Sequence, residues 1–111
     1  MVQHSQTLDS CFAALSNPTR RAILERLRRS EATIGALADP FDVSVPAITK
    51  HVNVLERAGL VARQKSGREV RVHLVARPMR EASIWMARYR EFWAEGMNAL
   101  EELLEEESSG R

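Results

Sequence analysis

Residues 44–61 read SVPAITKHVNVLERAGLV, and the way this stretch folds decides the architecture around it. Ser44 is a helix N-cap residue, and Pro46 is tolerated because it falls in the first turn. Gly59 suits the left-handed position that follows a helix's last residue. At 100° per residue, Val45, Ile48, Val52 and Leu55 fall on one side, the side expected to pack inward. Pro46, Lys50, Asn53 and Arg57 fall opposite, with Ala47, Thr49 and Val54 on the flanks and His51 at the edge of the inner stripe. The outer face is therefore small and hydrogen-bonding near its start.

Upstream, Leu8, Phe12 and Leu15 sit at i, i+4 and i+7, which predicts a short amphipathic helix over 8–15. Asn17-Pro18 reads as an N-cap with proline at the first helical position, opening a helix to about Arg29. Its inner stripe is Ile23, Leu24 and Leu27, and its outer face is arginine-rich. Thr33 caps a short helix from Ile34 to Ala38, which Asp39-Pro40 ends. Downstream the period changes. Val70, Val72 and Leu74 alternate with Arg71 and His73, and with the 60–65 run they predict a β-hairpin around Ser66-Gly67. Pro78 opens a last helix through about Glu106. The expected fold is mainly α with a small β-hairpin: four helices, a hairpin and one long helix in a single domain over 1–111.

Composition bounds the rest. A chain of 111 residues, 44% hydrophobic and 28% charged, supports one modest core. The opening residues show no signal peptide, and no apolar run reaches the ~18 residues of a membrane span. One cysteine, Cys11, excludes an intrachain disulfide framework and fits a reducing, cytoplasmic setting. Residues 1–77 carry 12 Lys and Arg against 7 Asp and Glu, whereas residues 78–111 carry 4 against 8. A basic body with an acidic extension points to an anionic partner for the body alone.

A short helix, a tight turn and a capped second helix, followed at once by a basic hairpin, make the winged helix-turn-helix pattern. The helix-turn-helix covers 33–58 and the wing 60–75. The expected DNA-contacting residues are Ser44, Pro46, Ala47, Thr49, Lys50, His51 and Asn53 on the helix, with Arg63, Lys65, Arg68 and Arg71 on the wing. Ala47 and Thr49 can offer methyls to thymine, while Thr49, Lys50 and Asn53 can bond base edges or phosphates. The wing cations would neutralise flanking phosphates without reading sequence. Taken singly, each residue has an ordinary role. Lys50 and Asn53 suit a solvated helix face, charge blunts a hairpin edge, and a histidine such as His51 more often packs than reads a base. Their conjunction, in this order, favours double-stranded DNA over the rival reading of a winged helix that binds protein without sequence-specific DNA readout.

The segments ALSNPTRRAIL (14–24), LADPFDVSVPAITKHVNVLERAGLV (37–61) and SGREVRVHLV (66–75) resemble the ArsR/SmtB family of bacterial winged-helix repressors, across roughly residues 8–104. The similarity is to the non-metal branch with a long, aromatic-rich last helix. It implies a homodimeric transcriptional repressor that binds a palindromic operator and leaves it when an effector arrives. Ser44 to His51 then take the reading role, and Lys65 to Arg71 the wing.

The chain departs from the family's metal sensors. The third-helix box reads TIGALAD, without cysteine, and the last helix contains no histidine. His4, His51 and His73 lie on separate elements, whereas a Zn²⁺ or Cu⁺ site needs convergent ligands. No metal and no cofactor is expected. Nor is enzymatic activity, since no nucleophile–base set and no phosphate-cradling glycine loop is present. Cys11, beside Phe12, reads as a small buried hydrophobe, with a redox switch as the minor alternative.

A helix over 78–106 spans roughly 43 Å at ~1.5 Å per residue, more than a small body covers. Its apolar residues are Ala82, Trp85, Met86, Tyr89, Phe92, Trp93, Met97, Leu100, Leu103 and Leu104. Their persistence predicts a partner surface, the same helix of a second subunit, joined by Leu8 and Phe12. The dimerisation helices are thus expected at 8–15 and 78–106. An aromatic pocket there could hold a small apolar effector.

Overall fold

A computed structural model describes the backbone of residues 2–109 and all of their side chains except those at 2–5, 93 and 109. Residues 1–81 form one compact unit and residues 82–111 a second.

In the first unit, helix α1 (Val2–Ala14) begins earlier than the apolar spacing alone indicates. Its buried face runs through Cys11 and Ala14, and Phe12 is left exposed. Helix α2 (Pro18–Leu27) starts where expected: the Asn17 side chain accepts a hydrogen bond from the Arg20 N–H at 3.1 Å. Thr33 caps α3 (Ile34–Ala38) in the same way, accepting from the Ala36 N–H at 3.2 Å. Asp39-Pro40 does not simply end that helix but continues it as a 3₁₀ turn, Asp39–Phe41. Asp42 then adopts a left-handed conformation, φ 53°, which a short polar side chain tolerates.

Helix α4 (Val45–Arg57) is the quoted stretch, and Ile48, Val52 and Leu55 are fully buried along it. Val45 does not join them; it is 49% exposed. Angular position sets the side of a helix a residue occupies, while cover depends on how far its neighbours extend along the axis. At the first helical position, that cover is missing. The helix closes in a Schellman motif, with Gly59 at φ 76°. The Leu60 N–H reaches the Leu55 carbonyl at 3.0 Å and the Gly59 N–H reaches Glu56 at 2.9 Å.

This closure feeds the chain directly into strand β2 (Val61–Ser66), which pairs antiparallel with β3 (Glu69–Leu74). Ser66 ends β2 opposite Glu69, so the hairpin turn is Gly67-Arg68, one residue beyond the Ser66-Gly67 pair, with Gly67 at φ 62°. The sheet has a third strand that the sequence does not announce. Two residues before α3, Ala32–Thr33 (β1), pair with Val72 and Arg71 of β3. Two residues carry no alternation, so only tertiary pairing makes them a strand. The core gathers Ile23, Leu24 and Leu27 from α2, Leu37 from α3, the three α4 residues, and Leu60, Val61 and Val72.

Beyond the wing, the single helix expected over 78–106 is two: α5 (Arg77–Ala87) and α6 (Arg90–Ser109). The Arg88 and Tyr89 N–H groups bond three residues back, to Trp85 and Met86, which tightens the turn and ends the α-helical ladder. No proline or glycine marks the site. In the second unit, the rings of Trp85 and Tyr89 lie 5.3 Å apart, tilted by 57°.

Candidate nucleic-acid interface

The face expected to read DNA is set up by the first turn of α4. Ser44 Oγ accepts the Ala47 N–H at 3.3 Å, fixing the helix start and committing the serine hydroxyl oxygen to the cap. Thr49 donates its hydroxyl to the Val45 carbonyl at 2.8 Å, leaving its methyl and remaining oxygen capacity for the surface. Pro46 and Lys50 are exposed, and Ala47, Thr49, His51 and Asn53 half-buried. The buried stripe therefore holds α4 down, while a small-residue surface with one free ammonium group stays accessible.

The wing cations divide by strand alternation. Register pairs Arg63 with Val72 and Lys65 with Val70, which puts both cations on the face that also carries buried Val61. Gln64 pairs with Arg71 and Ser66 with Glu69, on the opposite face. Arg63 is engaged twice by α4: its Nε donates to Glu56 Oε1 at 3.1 Å, and its Nη2 donates to Asn53 Oδ1. Arg71 is held by Glu69 at 3.2 Å and by Glu31 at 3.8 Å. Glu31 reaches it because β1 lies beside β3. Lys65 and Arg68 are exposed and, like Lys50, make no hydrogen bond or ion pair among the described residues. Four wing cations in the sequence thus become two that are free.

The same sorting applies to the arginines of α2. Arg20 Nε donates to the Ala14 carbonyl at 2.7 Å and Arg21 Nη1 to the Leu15 carbonyl at 2.7 Å. These two cations cap the C-terminus of α1, where the carbonyls lack helical partners. Part of the positive surplus of the body is therefore structural.

The residues expected at a subunit interface fall in both units. Phe12 of α1 is exposed and Leu8 half-buried. In α5 and α6, Trp85 is half-buried, while Met86, Tyr89, Phe92, Met97 and Leu100 are exposed, Phe92 at 69% and Met97 at 63%. Leu103 and Leu104 extend the exposed apolar stripe of α6. The side chain of Trp93 lies outside the described residues. The break at Arg88-Tyr89 places this apolar set on two helices and not on one continuous stripe.

An open cavity of ≈ 500 Å³ in the first unit is lined by Thr7, Ser10, Arg57, Gly59, Arg77 and Glu81 among others, and no aromatic side chain contributes to it. Among the described residues, no three His, Cys, Asp or Glu side chains converge as metal ligands, and no helix is long and apolar enough to cross a membrane. Cys11 is buried, and that burial raises its thiol pKa above the usual value. A thiol so placed is mostly protonated and a poor nucleophile.

A capped helix held on a two-helix turn, and joined through a Schellman closure to a two-stranded wing, defines a winged helix-turn-helix protein. Known proteins carry the same pattern. A helix-turn-helix domain family matches residues 15–64. The chain is 30% identical over 82 residues to the transcriptional repressor SdpR of Bacillus subtilis, covering 74% of this chain and 91% of that protein. Its structure is similar to the crystal structure of the ArsR family transcriptional regulator RHA00566, at 38% identity and a TM-score of 0.74, covering 81% of this chain and 93% of that one. It is also similar to an ArsR-like transcriptional regulator from Rhodococcus sp. RHA1, at 34% identity and a TM-score of 0.69, covering 89% and 93% of the two chains. The chain belongs to the ArsR/SmtB family of winged helix-turn-helix transcriptional regulators.

Proposed function

We propose that the chain is a sequence-specific, homodimeric transcriptional repressor that acts in the cytoplasm by binding and not by catalysis. In each protomer, α4 enters the major groove through Ser44, Pro46, Ala47, Thr49, Lys50 and Asn53, with His51 at the edge of the contact. Lys65 and Arg68 of the wing take flanking phosphates. The observation that carries this reading is the conjunction of an accessible small-residue face on α4 with exposed cations on that helix and on the wing that follows it, Lys50, Lys65 and Arg68, which make no hydrogen bond or ion pair among the described residues.

Dimerisation is supported by the exposed apolar side chains of α1, α5 and α6, too many and too large for a solvated helix face. In a two-fold dimer the operator is palindromic, with half-sites about one turn, ~34 Å, apart or a multiple of it. A small-molecule effector releases the complex. Repression is inferred from the likeness to SdpR, a transcriptional repressor.

Selection of bound duplexes from a random DNA pool by the purified chain tests the reading. The expected output is a palindromic motif with that half-site spacing. An output with no motif, at affinities that collapse with salt alone, overturns it.

A further inference from the structure

The engagement of Arg63 has a consequence for what α4 can read. Arg63 stands on the inward face of the sheet, opposite Val72 and two residues from Val61, and its side chain is only 26% exposed. From there its guanidinium reaches two α4 residues one helical turn apart, Asn53 and Glu56. The Schellman closure at Gly59-Leu60 fixes how β2 leaves α4, so this reach follows from backbone geometry as well as side-chain choice.

We propose that Arg63 is a specificity-determining positioning residue: by holding the amide oxygen of Asn53 toward the wing, it orients the carboxamide so that its Nδ2 donors are the end presented to the major groove. The inference rests on α4 being the DNA-reading helix. A guanidinium has donors and no acceptor, so the atom of the Asn53 carboxamide that faces it is the oxygen. A hydrogen bond given by a guanidinium is charge-assisted. A free asparagine reads adenine bidentately, taking the N6 hydrogen on its oxygen and giving an N–H to N7. With one lone pair of the oxygen taken by Arg63 and the planar amide turned accordingly, the Nδ2 donors point away from the guanidinium, and the bidentate adenine geometry competes with the Arg63 bond. Those donors match a base edge that offers acceptors, and guanine, with O6 and N7 side by side, offers two.

Glu56 completes the arrangement. Its carboxylate neutralises Arg63 and draws it toward α4, which makes Arg63 a poor phosphate ligand despite its place on a basic wing. Lys65, two residues further along the same face, has no such partner and stays available to phosphate.

The test uses the full chain with Arg63→Met, which keeps an unbranched apolar stem and removes every donor, together with Asn53→Ala and the double variant. Arg63→Lys, which keeps the charge but loses the planar fork that spans Asn53 and Glu56, serves if thermal melting shows that the methionine variant does not fold. Two quantities are read: the motif selected from a random duplex pool, and the slope of log affinity against log salt. The expected result is that Arg63→Met loses roughly tenfold in preference for guanine over adenine at one symmetry-related pair of positions. Its salt slope stays that of the unsubstituted chain, and the double variant selects the same motif as Asn53→Ala alone.

Unchanged base preference overturns the inference. So does a slope that falls by about 0.9 per protomer, the signature of a lost phosphate contact. If the unsubstituted chain itself selects no motif, the DNA-reading assignment fails, and this inference falls with it.

Discussion

Removing both free wing cations, as Lys65→Ala with Arg68→Ala, tests the division of the wing into free and engaged charges. Each phosphate neutralised by a cation contributes about 0.9 to the slope of log affinity against log salt on B-form DNA. Two contacts per protomer make four in the proposed dimer, so the double variant loses a slope of about 3.6. Over a fourfold rise in salt, from ~50 to ~200 mM, each contact is worth about 3.5-fold and four together about 150-fold. The affinity of the unsubstituted chain therefore falls some 150-fold further than that of the variant across this range. Arg71→Ala behaves differently. Its guanidinium already faces Glu69 and Glu31, so its removal leaves the slope where it was. The assay is fluorescence anisotropy on a labelled duplex at four salt concentrations. Parallel lines for the Lys65/Arg68 variant and the unsubstituted chain refute the reasoning, as does an Arg71 variant that flattens the line as much.

Three further outcomes follow from the packing. Gly59→Ala places a side chain at φ 76° without a clash, its nearest neighbour being Pro78 Cγ at 3.5 Å, so the cost is the left-handed backbone itself. Urea unfolding should show a loss of about 1–2 kcal/mol. Leu100→Glu adds a charge to the exposed apolar stripe of α6, which already carries Glu101 and Glu102 alongside; sedimentation should then report a monomer with an unchanged helical spectrum. For Cys11, burial favours the protonated thiol in the folded chain, so its contribution to stability is full below the unfolded thiol pKa and is lost as pH rises through the raised folded value. Cys11→Ser should remove that alkaline decline, and the native thiol should react with a thiol reagent only as fast as the chain opens.

Much of the reading helix was legible in sequence. Ser44 and Gly59 set its ends, and the 48–52–55 spacing set its buried side, because caps and periodicity act within a few residues. The wing was legible for the same reason, through alternation at Val70, Val72 and Leu74. What the alternation could not show was the company each cation keeps. Arg63 and Arg71 look equivalent to Lys65 and Arg68 in the sequence, yet Arg63 meets Asn53 and Glu56 across ten and seven residues, and Arg71 meets Glu31 across forty. The division of the last helix at Arg88-Tyr89 had no local signal either.

The sequence by itself determined the order of the first four helices and the two wing strands, the limits of α4 and the composition of its two faces, since these depend on neighbours one or two turns away. The tertiary structure alone decided that Ala32–Thr33 is a strand, that Val45 stays exposed, that Arg20 and Arg21 cap a helix, and which wing cations are without a partner among the described residues. Those outcomes depend on pairing and cover from distant parts of the chain, and a charge keeps or loses its availability according to what folding brings beside it.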